Sequence, residues 1–84
     1  MMTLAETVPL MTSDDYRERF KAEYFQTKIR SCKLAALLKA WERGDFSCPP
    51  QTARIILERQ LMQMVDYLST LALRAQIEGI SLED

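Results

Sequence analysis

The 84-residue sequence predicts an all-α fold, in which two long helices form an antiparallel hairpin that assembles into a compact helical homo-oligomer. Residues 14–43 and 51–78 each lack glycine and proline, so each is predicted to form one continuous helix. The connection over residues 44–50 is short and contains glycine and proline, which favour a turn. Two helices of nearly equal length with a short connection pack antiparallel by default.

The first twelve residues differ from the rest because they show no sustained apolar period. We predict that residues 1–12 form a flexible N-terminal arm and that residues 13–84 form the hairpin domain. The arm does not look like a secretory signal, because it lacks a basic start and contains Glu6 and Pro9. No run reaches the roughly eighteen apolar residues of a membrane span, so we expect a reducing cytoplasm and no membrane contact.

Capping residues mark the predicted helix ends. Ser13 or Asp14 can accept hydrogen bonds from the first free amides of helix one. Gly44 and Gly79 are natural stops, since glycine adopts the left-handed conformation that ends many helices. Ile80 then lies where it can pack back on the last turn of helix two.

Apolar residues recur at alternating steps of four and three along both helices, which predicts a packed seam between them. The seam positions are Phe20, Tyr24, Thr27, Ser31, Leu34, Leu38 and Trp41 in helix one, and Leu57, Leu61, Met64, Leu68, Leu71 and Ala75 in helix two. Thr27 and Ser31 are small and polar where leucine is expected. They let another backbone approach, leave room for a ligand, or simply make the seam locally thin.

Each helix carries a second apolar ridge beside its seam. The ridge residues are Phe25, Ile29, Cys32 and Ala36 in helix one, and Ile55, Met62, Val65, Ala72 and Leu73 in helix two. A helix with one partner needs only one apolar stripe, so two stripes predict further partners and therefore a homo-oligomer. Scattered surface hydrophobic residues are the alternative explanation.

The composition argues against several classes of function. A net charge of −1 is unsuited to a polymeric nucleic-acid ligand, which requires a basic surface. The sequence has no histidine and no nucleotide-binding or hydrolase motif, so we predict no enzyme. Cys32 and Cys48 are too few for a zinc site, and we expect two reduced thiols, no metal and no cofactor.

Cations and aromatic residues are interleaved in the first half of helix one, which suits an anionic ligand that carries bases. The residues are Tyr16, Arg17, Arg19, Lys21, Tyr24, Phe25, Lys28, Arg30 and Lys33. In an antiparallel hairpin Arg74 returns to the same end of the molecule. Tyr16, Tyr24, Lys28, Arg30 and Arg74 are therefore the candidate ligand-binding residues. The alternative is a solvated mixed-charge face, in which Glu18, Glu23, Asp66 and Glu78 pair with these cations.

The two helices also resemble a known family. The opening helix of the phage sponge hairpins, which counter the CBASS and Thoeris defences of bacteria, is similar to YRERF at residues 16–20, KIR at 28–30 and KLAALL at 33–38. Short phage-encoded relatives of that hairpin are similar to GDF at residues 44–46 with Cys48-Pro49, and to LERQL at 57–61 leading to Met64, Tyr67-Leu68, Leu71 and Arg74-Ala75. The resemblance covers about residues 14–80.

The resemblance implies a phage- or prophage-encoded helical oligomer, often a hexamer, in the cytoplasm of a bacterial host. Such a protein sequesters cyclic dinucleotides, cyclic trinucleotides or cyclised ADP-ribose without degrading them, and thereby blocks anti-phage defence. Tyr16, Lys28 and Arg74 resemble the ligand-holding tyrosine, lysine and arginine. Two other classes remain open, namely a structural or adaptor hairpin that binds a protein partner and a small regulator that contacts nucleic acid.

Overall fold

The computed structural model describes residues 2–45 and 49–83. It contains a 3₁₀ turn at Ala5–Thr7 and three α-helices, α1 at Val8–Met11, α2 at Tyr16–Glu42 and α3 at Arg54–Glu78. The described residues form no strand, so the all-α prediction is confirmed. The expectation that Cys48 lies in the turn as a reduced thiol falls outside the described residues, whereas Cys32 is a free, exposed thiol on α2.

Contacts at both ends show that α2 and α3 form an antiparallel hairpin. The Tyr16 hydroxyl, at the start of α2, donates to Glu78 Oε1 at the end of α3 over 2.8 Å. At the opposite end Arg54 Nη2, at the start of α3, lies 3.7 Å from Glu42 Oε1 at the end of α2. The two helices therefore contact each other at both ends of the hairpin. One is the end next to the connection, and the other, where α2 begins and α3 ends, we call the open end.

The start of α2 differs slightly from the prediction. Asp15 caps the helix, because its side chain accepts from the Arg17 amide over 2.9 Å, and the cap is neither Ser13 nor Asp14. Ser13 stabilises the approach to the helix, since its hydroxyl accepts from the Asp15 amide and donates to Glu18 Oε1. The helix therefore begins at residue 16 and not at about residue 14.

The two glycine stops are present as predicted. Gly44 and Gly79 have φ angles of 73° and 69°, which are left-handed conformations that side chains disfavour. The Ile80 amide donates to the Ala75 carbonyl over 2.9 Å, and Ile80 is buried against the last turn of α3. Helix α3 begins at Arg54, later than the expected start near residue 51, because Ala53 still has an extended ψ of 141°.

The predicted seam forms the interior of the hairpin. Every seam position on α2 and α3 is buried or half-buried, and the most enclosed cluster contains Phe20, Leu71, Ala75 and Ile80. The Thr27 and Ser31 hydroxyls donate to backbone carbonyls of their own helix, at 2.9 and 2.8 Å. Both hydroxyls are thus satisfied locally, which favours a thin seam over a ligand cavity at this point.

The N-terminal residues do not form the flexible arm that we expected. Thr3 and Glu6 make a capping box, in which the Glu6 carboxylate accepts from the Thr3 amide and the Thr3 hydroxyl accepts from the Glu6 amide. This pair starts the helical turn that continues into α1, where Pro9 occupies a first-turn position that tolerates proline. The sequence signal is Thr-x-x-Glu, which is too short to create an apolar period.

Helix α1 covers one end of the second apolar ridge of α2. Ala22, Phe25 and Ile29 are all buried, although at about 100° per residue they lie on the side of α2 opposite the seam. Gln26 neighbours them and donates to the Thr7 hydroxyl over 3.0 Å, which ties the N-terminal segment to this side. Part of the ridge assigned to a partner subunit is therefore used within the chain.

Thr7 and Thr12 offer a matched test of this attachment. Both hydroxyls donate to a carbonyl of their own segment, but only Thr7 is fully buried and accepts from Gln26. Thr7→Val should lower the free energy of unfolding by about 1–3 kcal/mol, because it leaves the Gln26 amide only the weak sulfur acceptor of Met11 at 3.4 Å. Thr12→Val should change it by less than about 0.5 kcal/mol. Urea denaturation of both variants measures this, and equal costs would contradict the role given to Thr7.

Candidate ligand-binding site

The open end of the hairpin brings together cations, aromatic rings and a carboxylate from α2 and α3. We call Tyr16, Arg17, Phe20, Arg74 and Glu78 the open-end cluster. The i, i+4 spacing places Tyr16 above Phe20 on α2 and Arg74 below Glu78 on α3, and the antiparallel packing sets the two pairs side by side. The Tyr16 and Phe20 ring centres are 6.2 Å apart in a tilted arrangement.

Arg74 is at the centre of this cluster. Its Nη2 donates to the Tyr16 hydroxyl over 3.1 Å, and its guanidinium carbon lies 5.0 Å from the centre of the Phe20 ring. Its Nε is 3.6 Å from Glu78 Oε2. The hydrogen bond with Tyr16 is the largest cause that raises the pKa of Arg74 above its ordinary value; burial opposes it, and the electrostatic interactions with Tyr16 and then Glu78 add to it. The predicted proximity of Arg74 to Tyr16 is present.

Arg17 closes the end of α3. Its two terminal nitrogens donate to the carbonyls of Gly79 and Glu78, at 3.0 and 3.4 Å. These carbonyls belong to the end of a helix, where the backbone has no further amides to offer them and the helix dipole is negative. A cation from the start of α2 therefore supplies the hydrogen bonds that the last carbonyls of α3 lack.

Tyr24 and Lys28 form a separate group on α2. The Lys28 ammonium lies 5.7 Å from the centre of the Tyr24 ring, and that ring meets Phe25 edge-on at 5.4 Å. Lys28 follows Tyr16 by twelve residues, so it lies about 18 Å further along α2 and about 120° around it. Tyr16 and Lys28 of one chain therefore do not face one pocket, although both are candidate ligand-binding residues.

Arg30 belongs to neither group. It is exposed, and at about 100° per residue it points to the opposite flank of α2 from Lys28. Among the described residues, no three His, Cys, Asp or Glu side chains are placed to hold a metal ion.

The site offers hydrogen-bond donors, positive charge and aromatic faces, which bind anions and planar groups.

Arg17 was predicted only as one of the interleaved cations of helix one, and Phe20 and Glu78 were given no role in the site. Phe20 was assigned to the seam, and Glu78 was considered only as a solvated partner for cations. The available signal was the combination of two i, i+4 pairs, Tyr16 with Phe20 and Arg74 with Glu78, at the ends that an antiparallel hairpin joins.

The second apolar ridge of α3 remains exposed. Ile55, Met62, Val65 and Leu73 are between 51 and 76% exposed, in contrast to the buried residues at the start of the α2 ridge. Ile77 is 75% exposed and extends the same side of the helix. This surface, which we call the α3 outer face, runs almost the full length of α3.

The profile of the Sequestin family matches residues 14–77, which contain all of α2 and α3 except Glu78. The chain belongs to the Sequestin family. The family name indicates a sequestering protein, in agreement with the resemblance to sponge hairpins. Helix α1 lies outside the matched residues, so the match describes the hairpin.

Neither the curated proteins nor the solved structures include a significant match to the chain. Within the described ranges, no helix is both long enough and apolar enough to cross a lipid bilayer.

Arg17 gives a direct test of how the open end is held together. Arg17→Ala should lower the free energy of unfolding by about 0.5–1.5 kcal/mol, because the terminal carbonyls of α3 lose a charged donor that is exposed to solvent. Arg30→Ala removes the same side chain from an exposed position of the same helix, and should change it by less than about 0.5 kcal/mol. Thermal unfolding followed by circular dichroism compares them, and an equal effect would contradict the closure of α3 by Arg17.

Proposed function

We propose that this member of the Sequestin family is a non-enzymatic sponge for cyclic nucleotide immune signals. Its ligands are cyclic dinucleotides, cyclic trinucleotides or cyclised ADP-ribose, and their removal blocks anti-phage defence in a bacterial cytoplasm. The observation that carries the proposal is the Arg74 guanidinium, which Tyr16 and Phe20 hold in place while 44% of its side chain stays exposed. Family membership supports sequestration over other binding functions.

The open-end cluster has the chemistry that a phosphate and a base require together. A guanidinium binds phosphate oxygens through short charge-assisted hydrogen bonds. Tyr16 is 46% exposed, and its ring offers a face on which a base can stack. Because Arg74 is already oriented by the Tyr16 hydroxyl, less side-chain freedom is lost when a ligand binds.

We propose that the complete pocket lies between subunits. Tyr24 and Lys28 are a second aromatic and cationic pair, but they lie about 12 and 18 Å from Tyr16 along the same helix. A neighbouring subunit can bring its Lys28 to the Tyr16 and Arg74 of the first chain, with Arg30 at the edge. The exposed α3 outer face supports such an assembly, and a hexamer would repeat the pocket at equivalent positions.

The α3 outer face also supports one alternative function. An adaptor hairpin would use Ile55, Met62, Leu73 and Ile77 to bind a different protein, as amphipathic helices bind apolar grooves. Such a hairpin would remain monomeric on its own and would bind no nucleotide, so the measurements below separate the two functions.

Self-association is tested by sedimentation. We expect a homo-oligomer larger than a dimer at micromolar concentration. Replacing Met62 and Val65 together by Glu should shift the protein to smaller species, because the contact would bury unpaired charges. Gln63→Glu is the control, since Gln63 is exposed but lies about 100° away from Met62 around α3. A monomeric parent chain would count against the sponge assembly and favour the adaptor function.

Ligand binding is tested by calorimetry against a panel of cyclic di- and trinucleotides and cyclised ADP-ribose. Tyr16→Ala, Lys28→Ala and Arg74→Ala should each weaken binding about tenfold or more, through loss of base stacking worth about 1–3 kcal/mol or of a charged hydrogen bond worth about 1.5–3 kcal/mol. Lys39→Ala, on the exposed distal part of α2, is the control. Single-stranded DNA added to the same assay should bind weakly, whereas tight binding with a steep salt dependence would indicate a nucleic-acid regulator.

A further inference from the structure

The Glu78 carboxylate already occupies the donors that a ligand phosphate would use. Its Oε1 accepts from the Tyr16 hydroxyl over 2.8 Å, and its Oε2 lies 3.6 Å from Arg74 Nε. The carboxylate therefore places a negative charge against two exposed side chains of the open-end cluster, Tyr16 and Arg74. An anion bound there from outside would meet repulsion from Glu78 unless that side chain moved away.

The position of Glu78 on its helix is unfavourable for a carboxylate. It is the last residue of α3, directly before the Gly79 cap, where the helix dipole is negative and cations are preferred. Arg17 satisfies the backbone carbonyls of Glu78 and Gly79 but is not paired with the Glu78 side chain in the described structure. Tyr16 and Arg74 therefore supply the contacts that hold the carboxylate in place.

The Glu78 side chain can also rotate away from Tyr16 and Arg74. It is 33% exposed, and it reaches its partners through three rotatable bonds on the surface. Rotation into water would break the exposed ion pair with Arg74 and the exposed hydrogen bond from Tyr16, and solvent replaces most of both interactions. Movement of one side chain would then open Arg74 and Tyr16 together.

We infer that Glu78 is an internal competitor, whose carboxylate holds the anion position between Tyr16 and Arg74 until a phosphate displaces it. This inference rests on the proposed function and adds a specificity-determining residue to it. Because every anion must displace the Glu78 carboxylate, each one binds with lower affinity than it would without Glu78. A ligand with a single negative charge and no further contacts is therefore bound least. A ligand that adds a second phosphate or a stacked base recovers the loss through those further contacts.

The test compares two glutamates of α3 that each form an ion pair with the arginine four residues earlier. Glu78→Gln removes the charge but keeps an oxygen that can accept from Tyr16, and it relieves the clash with the helix dipole. Glu58→Gln is the control, because Glu58 forms the same i, i+4 pair on the same helix, with Arg54 Nε 3.3 Å from its Oε1, at the far end of the hairpin. The probe is inorganic pyrophosphate, followed through the arginine Nε–H signals in nuclear magnetic resonance spectra of the parent and both variants.

We expect pyrophosphate to shift the Arg74 signal and to bind Glu78→Gln about two- to fivefold more tightly than the parent, which is the fold-change for loss of an exposed ion pair. Glu58→Gln should bind like the parent. Equal or weaker binding by a normally folded Glu78→Gln variant would overturn the inference, since Glu78 would then only position Arg74. No shift of Arg74 in any variant would also overturn it. Failure of the proposed function is a separate result, because it requires that the cyclic nucleotide panel does not bind.

Discussion

The packing of Phe20 against Leu71 and Ala75 fixes the position of α3 along α2, and the open-end cluster depends on that register. A helical turn is about 5.4 Å long, so a shift of one turn would carry Arg74 out of reach of the Tyr16 hydroxyl. Leu71 is fully enclosed and Ala75 lies one turn above it, which leaves no space for such a shift. The contacts between buried apolar residues thus determine where the exposed polar side chains of the open end lie.

The same register brings the start of α2 beside the end of α3, where the two helix dipoles have opposite signs. Arg17 and Glu78 both lie where the two helix ends meet, but only the charge of Arg17 suits the negative end of α3. The Arg17 guanidinium meets carbonyls that need a donor, whereas the Glu78 carboxylate is held at a negative helix end by Arg74 and Tyr16. The open end therefore combines a capped helix end with a carboxylate that two exposed side chains hold in place.

The hairpin and its seam were predictable from the sequence, because period and stop signals repeat over many residues. The seam from Phe20 to Trp41 is enclosed as the spacing of four and three requires, and Gly79 ends α3 as expected. The order at residues 3–11 was not predictable from periodicity, since it depends on one Thr-x-x-Glu capping box and one contact with Gln26. Part of the apolar ridge of α2 was consequently assigned to a partner subunit.

The candidate site was predictable in part. The meeting of Tyr16 with Arg74 follows from antiparallel packing. Tyr16 and Lys28 were both predicted to bind the ligand, but helix rise and rotation separate residues twelve positions apart. Phe20 was assigned to the seam alone, although its ring packs in the core and also lies beneath the Arg74 guanidinium. One side chain with two functions gives a single signal in the sequence.

The central claim, that this Sequestin-family chain captures a small phosphate-containing ligand intact, is tested most directly by native mass spectrometry. The protein is incubated with the cyclic nucleotide panel, the assembly is weighed, and the bound compound is released by heat and weighed again. The account predicts an oligomer that carries one class of cyclic nucleotide, released with its original mass. An assembly that carries no nucleotide, or one that releases a hydrolysed product, would contradict it.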